Sequence, residues 1–442
     1  MSETILLISR LAAAIVEEAG DMAPESITEE TMLSRDLGFG SIDYVRLVVE
    51  VERELNRKMG FHDLLMPAGT YVSDLSVGAF AAFVDTRMTG DGPVATSDAP
   101  PMSSASADES TTRSKENDAR VTTERLNELR SRMVPPHYLK NLPLPAQRRR
   151  RALFILTPPR CGSTLLQLML SAHPEIFAPP ELYILGYASM GQRETILGKP
   201  ASRVLLTGAV QAVMQASGQS REQAESFVAE MARQDRPAVE FYDVIQEWIG
   251  DRLLVDKSPL YTSHVDIMRR AENEFDDPLY IHLLRHPGGM VKSFTDTRIG
   301  EMIPFAQDIS CPPALLAEMI WQVSNVNIVT FLKDVPQERC CKLQFEDVVS
   351  QPEACVRQLC SFLEVPYVES MTDPYSSTTG YNAAKEVGYF SGDLKVHLYQ
   401  GIRAEAADRW RQHFKEERLS DPTLALYRRL ADECKSDSRT NE

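Results

Sequence analysis

The sequence predicts two folded parts: an N-terminal all-α helical bundle, and a C-terminal α/β domain whose parallel sheet is flanked by helices. Three observations predict this division: apolar residues at helical spacing over 1–88, a polar stretch over 89–122, and strands alternating with helices after Arg151. A chain of 442 residues exceeds one average domain of roughly 150 residues, so more than one folded unit is expected. With 43% hydrophobic and 25% charged residues, the composition is that of a globular protein.

The chain carries a formal net charge of −16, which argues against proteins that bind nucleic acid or an anionic membrane surface. An anionic ligand must therefore be held by a local group of cations and backbone amides. We expect a cytoplasmic protein, because the cysteine pattern indicates free thiols in a reducing compartment, and there is no run of about 18 apolar residues and no signal-peptide pattern at the start. The seven cysteines show no CxxC pair and the eight histidines no HExxH motif, which predicts free thiols and no metal site.

Residues 1–88 form an acidic block with a helical pattern. Apolar residues recur at three- and four-residue intervals in the stretches Ile5–Val16, Ile42–Leu55 and Val77–Val84. This spacing predicts three amphipathic helices that pack as a small bundle. Residues 89–122, rich in Ser, Ala, Asp, Pro and Thr, predict a disordered linker of about 35 residues that spans roughly 30 Å.

The remaining residues, 123–437, have an α/β pattern that begins with a short helix over Thr123–Met133. Buried strands are predicted at 152–156, 253–255, 279–284 and 340–344. Helices are predicted from Ser163 and Pro287, and near 180–190, 202–233, 237–249, 313–333 and 352–363. Strands that alternate with helices indicate a parallel sheet covered on both faces.

The first motif is the run 158–164 (PPRCGST), which leads from the first strand into a helix. Free N–H groups at a helix start, together with the macrodipole, form an anion site, to which Arg160 adds a positive charge. The loop is P-loop-like, but Gly162 stands before Ser163 where nucleotide triphosphatases have a Lys. A metal-assisted kinase or ATPase is therefore disfavoured. An ordinary strand–turn–helix corner is the alternative for this run taken alone.

The second motif follows the strand 279–284, which delivers Arg285 at its carboxyl end. A helix from Pro287 would place Ser293 between one and two turns further on, within reach of the same anion. Taken alone, Arg285 could equally be an ion-pair partner and Ser293 a solvated helix residue. The two motifs together are more specific than either one.

Together they resemble the sulfotransferase family that uses 3′-phosphoadenosine-5′-phosphosulfate (PAPS), over about residues 150–430. The resemblance implies that the loop after the first strand grips the 5′-phosphosulfate, while a later Arg and Ser grip the 3′-phosphate. The residues implied to bind the donor are Arg160, Cys161, Gly162, Ser163, Thr164, Arg285 and Ser293. Further matches are the segments Asp256–Pro259, Phe345–Asp347 and Asp408–Trp410.

The likeness is closest to the branch associated with polyketide and peptide synthases, of the curacin type, through the stretch His173–Leu182. Cytosolic sulfotransferases have a His base where this chain has Pro259, so the resemblance implies that the base lies elsewhere. Glu181 is the first candidate: tyrosylprotein-type relatives have a catalytic Glu there, and it follows two prolines at a predicted helix start. A Glu at a helix start can also simply complement the helix dipole.

Two histidines are the other candidate bases. His397 is the second, since imidazole titrates near neutral pH, and His264 is the third. A surface or capping role is the alternative for His397. Two further features also have two interpretations. The run Arg148–Arg151 could contact an acidic carrier domain or be solvated, and Trp321 could line a pocket or belong to the core.

The N-terminal block resembles an acyl or peptidyl carrier domain in its size, its acidity, its helix order and the pattern Leu37-Gly38-x-x-Ser41. The resemblance implies that a phosphopantetheinyl transferase attaches a 4′-phosphopantetheine arm to Ser41. The family usually has Asp directly before this Ser, where the chain has Gly40. From the residues alone, Ser41 could simply cap the helix that it begins.

The resemblances imply sulfuryl transfer from PAPS to a hydroxyl, most simply a β-hydroxyl, of an acyl chain on phosphopantetheine in polyketide or related natural-product biosynthesis. Glu181 or His397 would take the proton, while Lys257 and Arg160 would meet the charge that develops on the bridging phosphate oxygen. The implied product is adenosine 3′,5′-bisphosphate (PAP), and the implied partners are upstream synthase modules and a separate thioesterase. The alternative is a sulfotransferase for a free small molecule or lipid, with the carrier domain used for docking.

Overall fold

The computed structural model describes residues 3–18, 26–37, 39, 41–55, 57, 59, 61, 64, 74–89, 120–133, 139, 142–199, 202–297, 299–307, 309–375 and 401–440. The chain divides into two compact units, Met1–Ala107 and Asp108–Glu442. His397 and most of the predicted linker lie outside the described residues.

The N-terminal unit contains helices α1 (Glu3–Glu18), α2 (Ser41–Glu54) and α3 (Val77–Thr89). Apolar residues at helical spacing bury one face of each, as the sequence predicted. The fully buried members of this core are Ile8, Ala12, Leu33, Leu47, Val51, Val77, Phe80 and Val84. In the loop between α1 and α2, the N–H groups of Ser34 (2.7 Å) and Arg35 (3.0 Å) donate to the carboxylate of Asp74, which lies just before α3. These bonds help to hold the loop that leads to Ser41.

The second unit is built on a five-stranded sheet in the order β2-β3-β1-β4-β5, with every described pair parallel. The strands are β1 (Ala152–Leu156), β2 (Ile176–Phe177), β3 (Leu253–Asp256), β4 (Leu279–Leu284) and β5 (Cys340–Gln344). The sequence located four of these strands but missed β2, because two residues carry no periodic signal. The predicted α/β class with a parallel sheet is confirmed.

Helices cover the sheet and connect its strands. They are α4 (Thr123–Arg132), α5 (Ser163–Ser171), α6 (Met190–Leu197), α7 (Thr207–Ser217), α8 (Arg221–Arg233), α9 (Glu240–Trp248), α10 (Val265–Glu274), α11 (Pro287–Thr297), α12 (Pro313–Leu332), α13 (Phe345–Ser350), α14 (Pro352–Leu363) and α15 (Asp421–Thr440). Short 3₁₀ helices lie at Arg203–Leu206, Pro259–Ser263, Ile299–Glu301, Pro304–Ala306, Gln337–Arg339, Glu369–Thr372, Ala404–Ala407, Arg409–Gln412 and Glu416–Arg418.

Two helix predictions are wrong. Residues 180–189 are not helical, and α6 begins only at Met190. The predicted helix over 202–233 is interrupted at Gly218, which takes a left-handed conformation with φ 72° and ends α7. Glycine adopts this conformation without steric cost, so it is a common helix terminator.

The two faces of β1 belong to two different cores. Phe154 and Leu156 pack in one hydrophobic cluster, while Leu153 and Ile155 pack in the other. Because successive side chains of a strand point to opposite faces, a strand covered on both sides must be apolar throughout. This is why the uninterrupted run at 152–156 marks the centre of the sheet.

Helix α12 is the one described helix that is long and apolar enough to span a membrane, but 67% of that stretch is buried inside the unit. Its Trp321 is fully buried, and it lies in a hydrophobic cluster with residues of α11 and α15. A core helix of a large α/β domain has this composition.

Within the basic run before β1, Arg149 is not solvated. The Arg149 side chain is only 10% exposed, and it pairs with Asp243 (2.8 Å) and Glu274 (2.5 Å) of its own unit. The backbone of Arg149 also forms a bridge with Phe275. This arginine therefore anchors the start of β1, since ion pairs on two sides fix its position.

Candidate active site

Three strands end at one edge of the sheet, and each is followed by a residue that the sequence singled out. The strand β1 leads into the loop 157–162, β3 into Lys257 and β4 into Arg285. Since β1 lies between β3 and β4, the three carboxyl ends meet at the point where the strand order reverses. Ligands of open α/β sheets bind at such a point.

The loop after β1 opens directly onto the start of α5. Gly162, with φ 86°, is the N-cap residue, and having no side chain it cannot cap the first N–H groups of the helix. Arg160 also has a positive φ, of 64°. The Cys161 side chain is fully buried, and burial raises the pKa of its thiol to about 12. Cys161 can therefore contribute to an anion site only through its backbone.

Both the backbone conformation at position 162 and the lack of space around it require a glycine. A Cβ atom placed there would lie 2.1 Å from Cδ2 of Phe345, which is far inside van der Waals contact. We expect Gly162→Ala to lower the free energy of unfolding by about 1–3 kcal/mol through this clash, in addition to the cost of a positive φ. Chemical denaturation of the full chain measures the loss.

Gly250→Ala is the matched control. Gly250 also has a positive φ, of 62°, but a Cβ there would meet nothing within 4 Å. The difference between the two variants isolates the contact with Phe345. Equal losses in the two variants would contradict the clash as the cause.

The two arginine motifs are in direct contact. Arg160 donates from Nε to the Ser293 hydroxyl at 3.1 Å, and Arg285 donates from Nη1 to the Arg160 carbonyl at 2.8 Å. Arg285 lies over the Phe345 ring, 4.3 Å from Cζ to the ring centroid. Its own carbonyl accepts from Nε1 of Trp321 at 3.0 Å. The structure thus brings together Arg160, Arg285 and Ser293, although the two arginines lie 125 positions apart in the sequence.

A buried ion pair joins Lys257 to Glu181. The ammonium of Lys257 donates to Oε1 of Glu181, and the two side chains are 0% and 2% exposed. Lys257 also approaches the Thr164 hydroxyl at 3.4 Å, so the pair is linked to the first turn of α5. Among the described residues, Oε2 of Glu181 has no hydrogen-bond partner. Glu181 lies in the irregular segment before α6, so its predicted helix start is wrong.

A network centred on Asp256 supports this pair. The Asp256 carboxylate accepts hydrogen bonds from Ser258 (2.6 Å), Tyr261 (2.8 Å) and Tyr242 (2.5 Å). Burial raises the pKa of Asp256, and these hydrogen bonds oppose that shift. The family resemblance included Asp256 and Ser258. No sequence motif pointed to Tyr242, which lies 14 residues before Asp256 in the chain and contacts it in the fold.

The other matched segments surround Arg285. The Glu346 carboxylate accepts the N–H of His286 at 3.0 Å, and the Trp410 ring stacks on His286 with 4.3 Å between centroids. Burial lowers the pKa of His286 to about 4, so this ring is neutral at physiological pH. Trp410 also packs against the start of α11, where a Cβ at Gly288 would lie 2.4 Å from its ring.

The remaining predicted residues have separate positions. Ser41 is the first residue of α2 in the N-terminal unit. His264 caps α10, where its Nδ1 accepts the N–H of Asp266 at 3.1 Å. His397 lies outside the described residues.

Comparison with known proteins identifies the family of the second unit. The model of the sulfotransferase family matches residues 152–369, and that of the sulfotransferase domain matches 317–428. The sulfotransferase domain of the Synechococcus PCC 7002 olefin synthase is 32% identical, with a TM-score of 0.58, and the match covers 66% of this chain and 98% of that domain. The chain belongs to the sulfotransferase family. The sulfotransferase domain from the curacin biosynthetic pathway is 31% identical with a TM-score of 0.58, covering 64% of this chain and 99% of that domain.

The N-terminal unit matches the model of a phosphopantetheine attachment site over residues 9–72, a range that contains Ser41. The chain is therefore a carrier domain fused to a sulfotransferase of the polyketide-synthase branch, which confirms both resemblances. The nodulation protein NoeE of Sinorhizobium fredii (strain NBRC 101917 / NGR234) is 28% identical over 189 residues. That match covers 41% of this chain and 40% of the relative. The chain therefore spans less than half the length of this curated relative.

Proposed function

We propose that this sulfotransferase transfers a sulfuryl group from PAPS to the β-hydroxyl of an acyl chain that phosphopantetheine holds on Ser41. The observation that carries the proposal is the contact between the two anion-binding motifs, in which Arg160 bonds to Ser293 and Arg285 to the Arg160 carbonyl. Two motifs in contact can hold the two phosphorylated ends of one donor molecule. Two unrelated anion sites would not need to touch.

The chemistry of these residues suits PAPS. The start of α5, with Ser163, Thr164 and the uncapped N-cap Gly162, offers N–H and hydroxyl donors to a phosphosulfate. Arg285 and Ser293 provide a planar cation and a hydroxyl for a 3′-phosphate. No Lys precedes Ser163, so this loop lacks the residue with which a triphosphatase holds its β- and γ-phosphates.

Glu181 is the general base of the proposed reaction. It is buried, and its Oε2 has no hydrogen-bond partner in the described part of the chain, so this oxygen can accept a proton from the acceptor hydroxyl. Its other oxygen is held by Lys257, which fixes the orientation of the carboxylate. His397 remains a second candidate base.

Lys257 and Arg160 act on the leaving side of the reaction. PAPS supplies an electrophilic sulfur and a phosphate leaving group. As Glu181 takes up the proton, its attraction for the Lys257 ammonium falls, and Lys257 is freed to stabilise negative charge beside Thr164. Arg160 and the N–H groups of α5 stabilise the same charge, and such preorganised donors are worth about 3–4 kcal/mol each in a dry site.

Ser41 accounts for the delivery of the acceptor. It is the first residue of α2 and lies within residues 9–72, the range of the attachment-site match, which supports it as the modified serine. A phosphopantetheinyl transferase would load it, upstream polyketide or peptide synthase modules would supply the acyl chain, and a separate thioesterase would act on the product. The natural setting of such a system is the cytoplasm.

We expect Ser41→Ala to abolish sulfation of the carrier-bound acyl chain, because the variant has no attachment point. Wild-type chain incubated with a phosphopantetheinyl transferase and coenzyme A should gain the mass of one phosphopantetheine arm, whereas Ser41→Ala should gain nothing. Loading with a 3-hydroxyacyl group and then adding PAPS should increase the wild-type mass by one SO₃. Intact-mass spectrometry measures both steps.

The competing function is sulfation of a free small molecule or lipid, with the carrier domain used for docking. Gly40 favours it, since carrier domains usually have Asp at that position. In that case the Ser41→Ala variant would sulfate its natural acceptor as fast as the wild type. Arg53→Ala, on the exposed side of α2, is a control for general damage to the carrier unit.

A further inference from the structure

Gly208, the second residue of α7, is buried against the backbone of Glu181. A Cβ atom placed at Gly208 would lie 2.1 Å from the carbonyl oxygen of Glu181, 2.9 Å from its carbonyl carbon and 3.2 Å from its nitrogen. All three atoms belong to the backbone, so no side-chain rotation could relieve the contact. Glycine is a poor helix former, and the helical backbone at this position does not require it. The close approach of Glu181 is the reason that position 208 has no side chain.

The chain on either side of Glu181 is fixed, so a shift of the segment could not relieve such a contact. Before it, the carbonyl of Ala178 accepts from Nε2 of Gln167 at 2.7 Å, and the two prolines that follow restrict φ. After it, the N–H of Tyr183 donates to the Ser258 hydroxyl at 3.0 Å. The φ of Tyr183 is 50°, a left-handed conformation that is rare for a bulky residue. The surroundings therefore hold this stretch of chain in a strained path.

Arg193 joins the Glu181 segment to the start of α7. Arg193 is 1% exposed, and its Nε donates to the carbonyls of Leu182 at 3.1 Å and Tyr183 at 3.2 Å. Its Nη2 donates to the carbonyl of Leu205 at 3.4 Å, in the 3₁₀ helix that runs directly into α7. A buried cation is costly unless hydrogen bonds satisfy it. One guanidinium thus holds together the two pieces of chain that meet at Gly208 and Glu181.

The position of the Glu181 carboxylate depends on this backbone. Lys257 holds one carboxylate oxygen, while Oε2 has no hydrogen-bond partner in the part of the chain that the structure describes. A general base must lie within hydrogen-bond reach of the proton that it takes. We propose that Gly208 and Arg193 are positioning residues, which hold the Glu181 backbone where Oε2 reaches the acceptor hydroxyl. The inference rests on the proposed function, in which Glu181 is the base.

Gly208→Ala is expected to lower the single-turnover rate of sulfuryl transfer about 10–100-fold and to leave PAP affinity within about twofold of the wild type. The added methyl group displaces the backbone of Glu181, and a displacement of about 1 Å is enough for a loss of this size. The rate is measured with a 3-hydroxyacyl group loaded on the carrier. It is expressed per PAP-binding site, titrated by calorimetry, so that unfolded chain is not counted.

Gly198→Ala is the control for an added methyl group that meets backbone. A Cβ at Gly198 would lie 2.4 Å from the carbonyl oxygen of Glu194, in the last turns of α6. This variant should also lower the midpoint of chemical denaturation, but it should keep the wild-type rate. An equal loss of rate in Gly198→Ala and Gly208→Ala would overturn the inference.

A double-variant cycle separates positioning from a general loss of structure. In the Glu181→Gln background, adding Gly208→Ala should change the rate by less than about twofold, because the carboxylate through which the glycine acts is gone. A further loss of about 10–100-fold in that background would overturn the inference, since Gly208 would then act without the base. A Gly208→Ala enzyme with the wild-type rate would overturn it as well.

Arg193→Lys tests the same contacts from the other side, and it serves if Gly208→Ala does not fold. Lysine keeps the charge but lacks the planar fork of donors, so the same pattern is expected: a slower rate, unchanged PAP affinity and no further loss in the Glu181→Gln background. A wild-type rate in Arg193→Lys would overturn its role. If Glu181→Gln alone turns over as fast as the wild type, the proposed base fails and the inference fails with it. A failure of the inference alone leaves Glu181→Gln slow.

Discussion

Glu181→Gln is expected to lower the rate of sulfuryl transfer by about 10²–10⁴-fold while the affinity for PAP stays unchanged. The substitution keeps the shape of the side chain but removes the oxygen that can accept a proton. That oxygen, Oε2, has no hydrogen-bond partner among the described residues, so no neighbour there competes for it. Single-turnover kinetics with a loaded carrier measures the rate, and calorimetry with PAP measures the affinity.

The same substitution should also destabilise the fold, because it leaves the fully buried Lys257 without its counterion. Breaking a buried ion pair costs about 3–5 kcal/mol, whereas replacing both partners is often neutral. We therefore expect the double variant Glu181→Gln, Lys257→Met to recover most of the stability and none of the activity. Because Lys257 also has a role in the proposed reaction, the double variant tests only the stability of the fold, and the Glu181→Gln single variant tests catalysis.

Glu318→Gln provides a matched control for Glu181. Glu318 is also a buried carboxylate, but it accepts from the N–H (2.8 Å) and hydroxyl (2.6 Å) of Ser420 at the start of α15. This variant should lose some stability and keep its turnover rate. A Glu181→Gln enzyme that turns over as fast as the Glu318 variant would remove Glu181 as the base and leave His397.

Arg285→Ala should weaken PAP binding about 10–100-fold, because hydrogen bonds to charged groups contribute about 1.5–3 kcal/mol. The expected effect lies at the upper end, since Arg285 also holds the Arg160 carbonyl in place at 2.8 Å. Losing Arg285 thus loosens the first motif as well as removing a cation from the second. Calorimetry compares PAP with ATP and Mg²⁺, and the wild type should bind only PAP tightly.

Arg357→Ala is the control for Arg285→Ala. Arg357 also lies over an aromatic ring, 4.2 Å from the centroid of Tyr367, but it is exposed and pairs with Glu353. The Arg357→Ala variant should bind PAP with the same affinity as the wild type. Tight binding of PAP by Arg285→Ala, or of ATP and Mg²⁺ by the wild type, would contradict the donor site proposed here.

The regular elements of the sulfotransferase unit could be predicted because each has a local cause. The runs at 152–156 and 279–284 are apolar throughout, since both faces of the sheet are covered, and the strands have those bounds. The segment 180–189 could not be predicted in this way. Bonds from distant residues such as Tyr261, which accepts the N–H of Ile184 at 2.7 Å, determine its path.

The candidate site shows the same limit. Strand ends predicted which edge of the sheet would carry Arg160 and Arg285, and the family resemblance added Lys257. The ion pair between Lys257 and Glu181 joins residues 76 positions apart, and nothing in the sequence around either residue indicates that the two form a pair. Tyr183 gave no signal at all, because a positive φ at a tyrosine becomes visible only in three dimensions.

The segment that carries Glu181 is fastened to the turn after β3 by Ser258 and Tyr261, which bind the N–H groups of Tyr183, Ile184 and Leu185. Grafting residues 179–189 alone from another enzyme, as a way to change the acceptor, would place them on a foreign support. A useful chimera must therefore transplant the β3 turn together with the graft. If Glu181 and Lys257 act as proposed, a transplant of this kind would change the acceptor side and the donor side of the site together.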